Sequence, residues 1–236
     1  MGLVFETRWS DSAWVESVWT CRSEQVAEMT SVATQTWGLV FWAENGVPGA
    51  AVTGPESRTG TAPVPEGADF VGVQFAVGTS LRAVTAPTLV DSGIVLPDVT
   101  ARGFWLDGQR WETPRADDVE ALVERLVGEG VVVRDALVAD TLRGLEPAIT
   151  ERTLERRFRA ATGLTQGAIR QIDRARTAAL LLSAGETSAD VIDKLGYYDE
   201  PHLARALRRF VGRTAGQLRE GSEGVIALDL TQRTTS

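Results

Sequence analysis

The sequence predicts an α+β protein: an antiparallel β barrel or sandwich over residues 1–112, an all-α domain over 113–220 made of two helix pairs joined by a long helix, and a tail over 221–236. Three observations carry this reading. Up to about residue 110, β-branched and aromatic residues recur with a period of two between turn signals; from Asp117 the apolar period becomes 3.6. All seven tryptophans precede residue 112. Charge divides the same way, since residues 1–149 sum to −11 and residues 150–220 to +4 within a chain of net charge −8.

The 236 residues leave ample chain for a core, and 43% hydrophobic with 24% charged residues is the balance of a soluble globular protein. The start, M-G-L-V-F-E-T-R-W, has neither a basic region nor an apolar run, which leads to the expectation of a cytoplasmic protein. One cysteine, Cys21, precludes an intrachain disulfide, and one histidine, His202, argues against the clustered imidazoles of most zinc and iron sites. No metal or other cofactor is expected.

In the β-rich part, Ala13–Thr20 and Val32–Ala43 read as strands, Asn45-Gly46 as a hairpin turn, and Asp69–Val77 as a strand after the P-V-P-E-G break. Tryptophans on such strands fill a core, and they can also line a ligand cavity; Trp19, Trp37 and Trp42 are the candidates for an effector pocket.

The first helix is expected from about Asp117, with Val119, Leu122, Val123, Leu126 and Val127 on one face and Gly128 and Gly130 at its end. A second, about Arg134–Leu142, turns Leu137, Val138 and Leu142 inward. Thr150 suits the N-cap of a third helix, with Leu154, Phe158 and Ala161 inside and Gly163 as the stop. Thr165 opens a long helix to about Ser183 with Ile169, Ile172, Ala179 and Leu180 buried, closed by Gly185. Thr187 or Ser188 caps a short helix, Gly196 turns the chain, and Asp199 caps a last one whose core face is Leu203, Ala206, Leu207 and Phe210.

A short helix, a tight turn and a second helix with arginines on its outer face make a helix-turn-helix, and the pattern occurs twice. At ~100° per residue, Arg156 and Arg159 lie within about 40° of Arg152, while Leu154 and Phe158 lie at about 200–240°. In the last helix Arg205, Arg208 and Arg209 point away from the core face. An arginine-rich face is also what any solvated helix presents; two such helices on a rigid spacer of about 28 Å, near the ~34 Å of one turn of duplex, suggest recognition of successive major-groove segments.

Two stretches resemble AraC/XylS-type transcription regulators. Gly196–Thr214, G-Y-Y-D-E-P-H-L-A-R-A-L-R-R-F-V-G-R-T, is similar to the signature of that family, and Ile149–Thr165, I-T-E-R-T-L-E-R-R-F-R-A-A-T-G-L-T, is similar to its first recognition helix. The likeness covers about residues 117–220, and Ala215 stands where the family usually has proline. It implies base reading by Arg152, Glu155 and Arg156 from one helix and by Glu200, Pro201, His202 and Arg205 from the other; Arg159, Arg208 and Arg209 join the DNA-binding candidates from their helical faces. Glu155 and Glu200 are either readers of cytosine or surface acids. The likeness further implies a cupin-like amino-terminal module for sensing a small molecule or for homodimerisation, and RNA polymerase as a partner if the protein activates. Phe104–Trp111, F-W-L-D-G-Q-R-W, resembles a segment found in one subgroup of such regulators.

Three function classes follow. The first is a sequence-specific regulator reading an asymmetric site on double-stranded DNA. The second is a ligand- or protein-interaction module that keeps the helical fold without DNA affinity, as the sequence pI of 4.9 would suit. An enzyme comes third, for no P-loop, dinucleotide glycine pattern or nucleophile–base pair is visible.

Overall fold

The computed structural model describes residues 3–24, 28–64 and 66–221; the expected tail lies, but for Gly221, outside them. Among the described residues the strands are β1 (Leu3–Trp9), β2 (Val15–Ser23), β3 (Glu28–Ser31), β4 (Gly38–Glu44), β5 (Val47–Thr53), β6 (Gly60–Pro63), β7 (Asp69–Phe75), β8 (Thr79–Leu81), β9 (Gly93–Val95), β10 (Phe104–Leu106), β11 (Gln109–Trp111) and β12 (Val132–Arg134). Six of them form one antiparallel sheet in the order β1-β2-β7-β4-β5-β9.

Asn45 and Gly46, with φ of 50° and 80°, make the tight turn between β4 and β5, as an Asn-Gly pair favours. Asp107-Gly108, at 52° and 72°, repeats the device between β10 and β11. The expected strand at Ala13–Thr20 starts only at Val15, because the hydroxyls of Ser10 and Ser12 accept the N–H groups of Ser12 and Trp14 and hold the chain in turns. The expected strand at Val32–Ala43 starts only at Gly38. Before it, Thr34 and Thr36 bond each other at 2.9 Å, and Ala33 leaves the sheet for the helical core.

A closed barrel, one of the two expected β architectures, is not formed among the described residues: β1 and β9 are the open edges of the sheet. One face of the sheet, with Trp37, Leu39, Phe41, Val52, Val73 and Phe75, is covered by Phe104, Trp111 and a helix, α1 (Val119–Gly128). That helix inserts Val119, Leu122, Val123 and Leu126 into the sheet's core. Arg8 on β1 pins it through two bonds to Glu120, and its hydrogen bond holds the Glu120 carboxyl below its ordinary range. Cys21 is buried, and desolvation pushes its thiol up to about 11.

The remaining helices are α2 (Ala136–Leu142), α3 (Glu151–Thr162), α4 (Gln166–Ser183), α5 (Ser188–Leu195), α6 (Glu200–Phe210) and α7 (Ala215–Glu220). The helix expected from Arg134 begins two residues later, because Val132–Arg134 pairs with Thr79–Leu81 as a strand and Asp135 becomes the N-cap, accepting from Val138. Thr150, Thr165, Thr187 and Asp199 cap α3 to α6 as the sequence indicates, each accepting an N–H from the third residue after it. Phe158, Ile169, Ile172, Ala178, Leu182, Val191, Leu203, Leu207 and Phe210 form a second apolar cluster. The stripe of α4 runs through Ala175, Ala178 and Leu182, leaving Leu180 half-buried; alanines there let α6 pack closely.

Candidate nucleic-acid interface

Two helices, α3 and α6, present arginines opposite buried faces. On α3, Phe158 is fully buried and Leu154 half-buried, while Arg152, Arg156 and Arg159 are exposed. On α6, Leu203, Leu207 and Phe210 are buried and Arg205, Arg208 and Arg209 exposed. Among the described residues none of these six guanidiniums is in an ion pair. Arg209 lies 5.2 Å from the ring of Phe210. Arginines held out in water without carboxylate partners keep all five donors for a ligand's oxygens.

Each face is fixed from below. Gly163 ends α3 with φ of 74°, and a side chain there would strike Val90 and the carbonyl of Ala86, so α3 lies directly on the short helical turn Ala86–Leu89. Arg157, one position round from Arg156, bonds both carboxylate oxygens of Asp135 at 2.8 and 3.1 Å and thereby ties α3 to the cap of α2. The α4 helix, 18 residues and so about 27 Å long, carries the whole second half. Arg174 on α4 sits 4.5 Å over the ring of Tyr197, and Arg176 donates to the carbonyl of Ala33 at 3.2 Å. These three arginines position elements, a role that sequence position alone did not separate from the outward arginines beside them.

The other candidates divide. Glu155 accepts the N–H of Gln166 at 3.3 Å, closing the turn from α3 into α4. Glu200 is exposed in the first turn of α6, where a carboxylate suits the helix dipole, and Pro201 is exposed beside it. His202 is half-buried: its N–H is capped by Asp199 at 2.7 Å, its Nδ1 accepts from the N–H of Tyr198 at 3.3 Å, and its ring meets Tyr197 edge-on.

The three tryptophans do not share a face. Trp37 is 1% exposed in the sheet's core, on the side of Leu39 and Phe41. Trp19 pairs with Gly72, which pairs with Val40, and Trp42 pairs with Gly49, so Trp19 and Trp42 lie on the opposite side. Their indole rings cover those two glycines so closely that a Cβ at either would collide.

Residues 146–221 match the model of a family described as a helix-turn-helix domain. This segment, about a third of the chain, is a helix-turn-helix domain of the AraC type, the kind of domain with which transcription regulators bind DNA. No curated protein and no solved structure matches the chain. Among the described residues no helix is long and apolar enough to cross a membrane.

Proposed function

We propose that α2–α3 and α5–α6 act as two helix-turn-helix units that read one asymmetric site on double-stranded DNA, with α3 and α6 as the recognition helices. The observation that carries this is the pair of arginine faces, Arg152, Arg156 and Arg159 on α3 and Arg205, Arg208 and Arg209 on α6, unpaired among the described residues and opposed to buried apolar stripes. Different sequences on the two helices mean different half-sites, and α4 sets their separation within one chain. Glu200 and His202 flank the second reader at its first turn.

The acidic, β-rich region with α1 would serve as a sensory or dimerising module acting on the helices it touches, and a soluble regulator of this kind would work in the cytoplasm. An effector, a homodimer and RNA polymerase are the partners such a role implies.

The test is titration of labelled duplexes, selected by the full chain from a random library, between 50 and 200 mM salt. Affinity should fall steeply with salt, by about 10³ or more if six phosphate contacts are made. Binding of no duplex at low salt would refute this reading in favour of an interaction module without DNA affinity.

A further inference from the structure

Resting on the reading of α6 as a recognition helix, the geometry points to Tyr198 as a further DNA contact, one that donates its phenolic hydroxyl to a backbone phosphate at the mouth of the groove. Tyr198 is 90% exposed, the most exposed of the large hydrophobic side chains among the described residues. It immediately precedes Asp199, the N-cap of α6. An apolar residue at that position commonly folds back on the fourth residue of the helix. Here that residue is Leu203, which is fully buried without it, and the tyrosine stands out in solvent instead.

The backbone beneath it is fixed. The N–H of Tyr198 donates to Nδ1 of His202, and the preceding Tyr197 is buried, with Arg174 over its ring and His202 against its edge. A backbone held in this way projects one exposed aromatic ring from the position just before the cap of α6, at the end of the helix that would enter the groove. Side chains just outside a recognition helix meet the sugar–phosphate wall, and tyrosine hydroxyls are among the groups that bond phosphate. Such a contact positions the protein on the duplex and carries no sequence information.

The test compares full-length wild type, Tyr198→Phe and Tyr198→Ala on a duplex selected from a random library and on an unrelated duplex of equal length. Tyr198→Phe should weaken both by the same factor, about tenfold, as loss of one hydrogen bond to a charged oxygen would. Because no charge is removed, the slope of affinity against salt should not change, and an exposed side chain should leave the melting temperature where it was. Tyr198→Ala should match Tyr198→Phe. Wild-type affinity for Tyr198→Phe, whether or not Tyr198→Ala is impaired, would overturn the inference. Failure of the wild-type chain to bind either duplex would instead overturn the function on which it rests.

Discussion

The backbone N–H of Ala33 donates to the carbonyl of Phe210 at 2.8 Å, joining the loop before β4 to the last turn of α6. Thr59 donates in the same way to Arg209 at 2.8 Å, and Arg176 holds the carbonyl of Ala33 from α4. The last carbonyls of a helix have no partners within it. For α6 two of them are satisfied by the β-rich region, so the orientation of this helix is referenced to that region as well as to α4. The segment 32–37 thus touches both cores, with Ala33 in the helical cluster and Trp37 in the sheet's.

Gly212 tests that seam. Its φ is 76°, and a Cβ there would lie 2.8 Å from Oγ1 of Thr59. Gly212→Ala should cost about 1–3 kcal/mol from backbone strain and crowding together. Urea denaturation reads the loss; an unchanged midpoint would show that the loop at Thr59 yields freely.

Phe158→Ala and Phe210→Ala should each cost about 3–5 kcal/mol, since both rings are buried in the helical cluster. Thermal unfolding of both variants at wild-type temperature would mean that the arginine faces have been assigned to the wrong sides of α3 and α6.

Arg156→Ala should weaken binding to a selected duplex by about 1–3 kcal/mol and relax preference at one base position, as for an arginine that reads a guanine edge. Arg209→Ala, at the end of α6 beside the seam, should weaken all duplexes alike. Repeating the library selection with each variant distinguishes the two; uniform losses in both would remove α3 as the main reader.

Two carboxylates should give opposite pH signatures. Burial pushes Glu56 above the ordinary carboxylate range, and nearby Asp91 adds to this, while a hydrogen bond with Ser31 and the charge of Arg176 pull the other way. The folded state therefore holds the Glu56 proton more tightly than the unfolded one, and stability falls as pH rises from the unfolded value through the folded one. Glu56→Gln should be the more stable protein at neutral pH, with the gap closing in acid. Glu120, lowered by the hydrogen bond from Arg8, contributes stability above the unfolded carboxylate value that is lost as pH falls through the depressed one. Glu120→Gln should be less stable than wild type at neutral pH and converge with it in acid. Denaturant midpoints from pH 3 to 7 would show both trends, and parallel curves would contradict them.

What the sequence made legible was local. Thr150, Thr165, Thr187 and Asp199 announce helix starts because each cap acts within three residues, and Gly163 and Gly196 announce ends because left-handed backbone favours glycine. The arginine faces follow from helical period alone. What stayed hidden depends on distant partners: the pairing of Val132–Arg134 with Thr79–Leu81, the burial of α1 against the sheet, and the departure of Ala33 from it. Likewise the division of Trp37 from Trp19 and Trp42 follows from strand register, which the spacing of tryptophans does not encode. Nothing in the sequence separates Tyr198 from its neighbour Tyr197; only the burial of the one and the exposure of the other do.

Under the proposed function, one chain reads two adjacent groove segments with two unlike helices. The most direct measurement of this is a hydroxyl-radical footprint of the full-length protein on a duplex selected from a random library, with Arg156→Ala and Arg205→Ala compared at equal occupancy. The expected result is an asymmetric site on one face of the duplex, with two protected segments near one helical turn apart per chain, Arg156→Ala losing protection at one end and Arg205→Ala at the other. Protection confined to a single groove segment, or loss at the same end in both variants, would contradict it and leave α5–α6 as a buttress for α3.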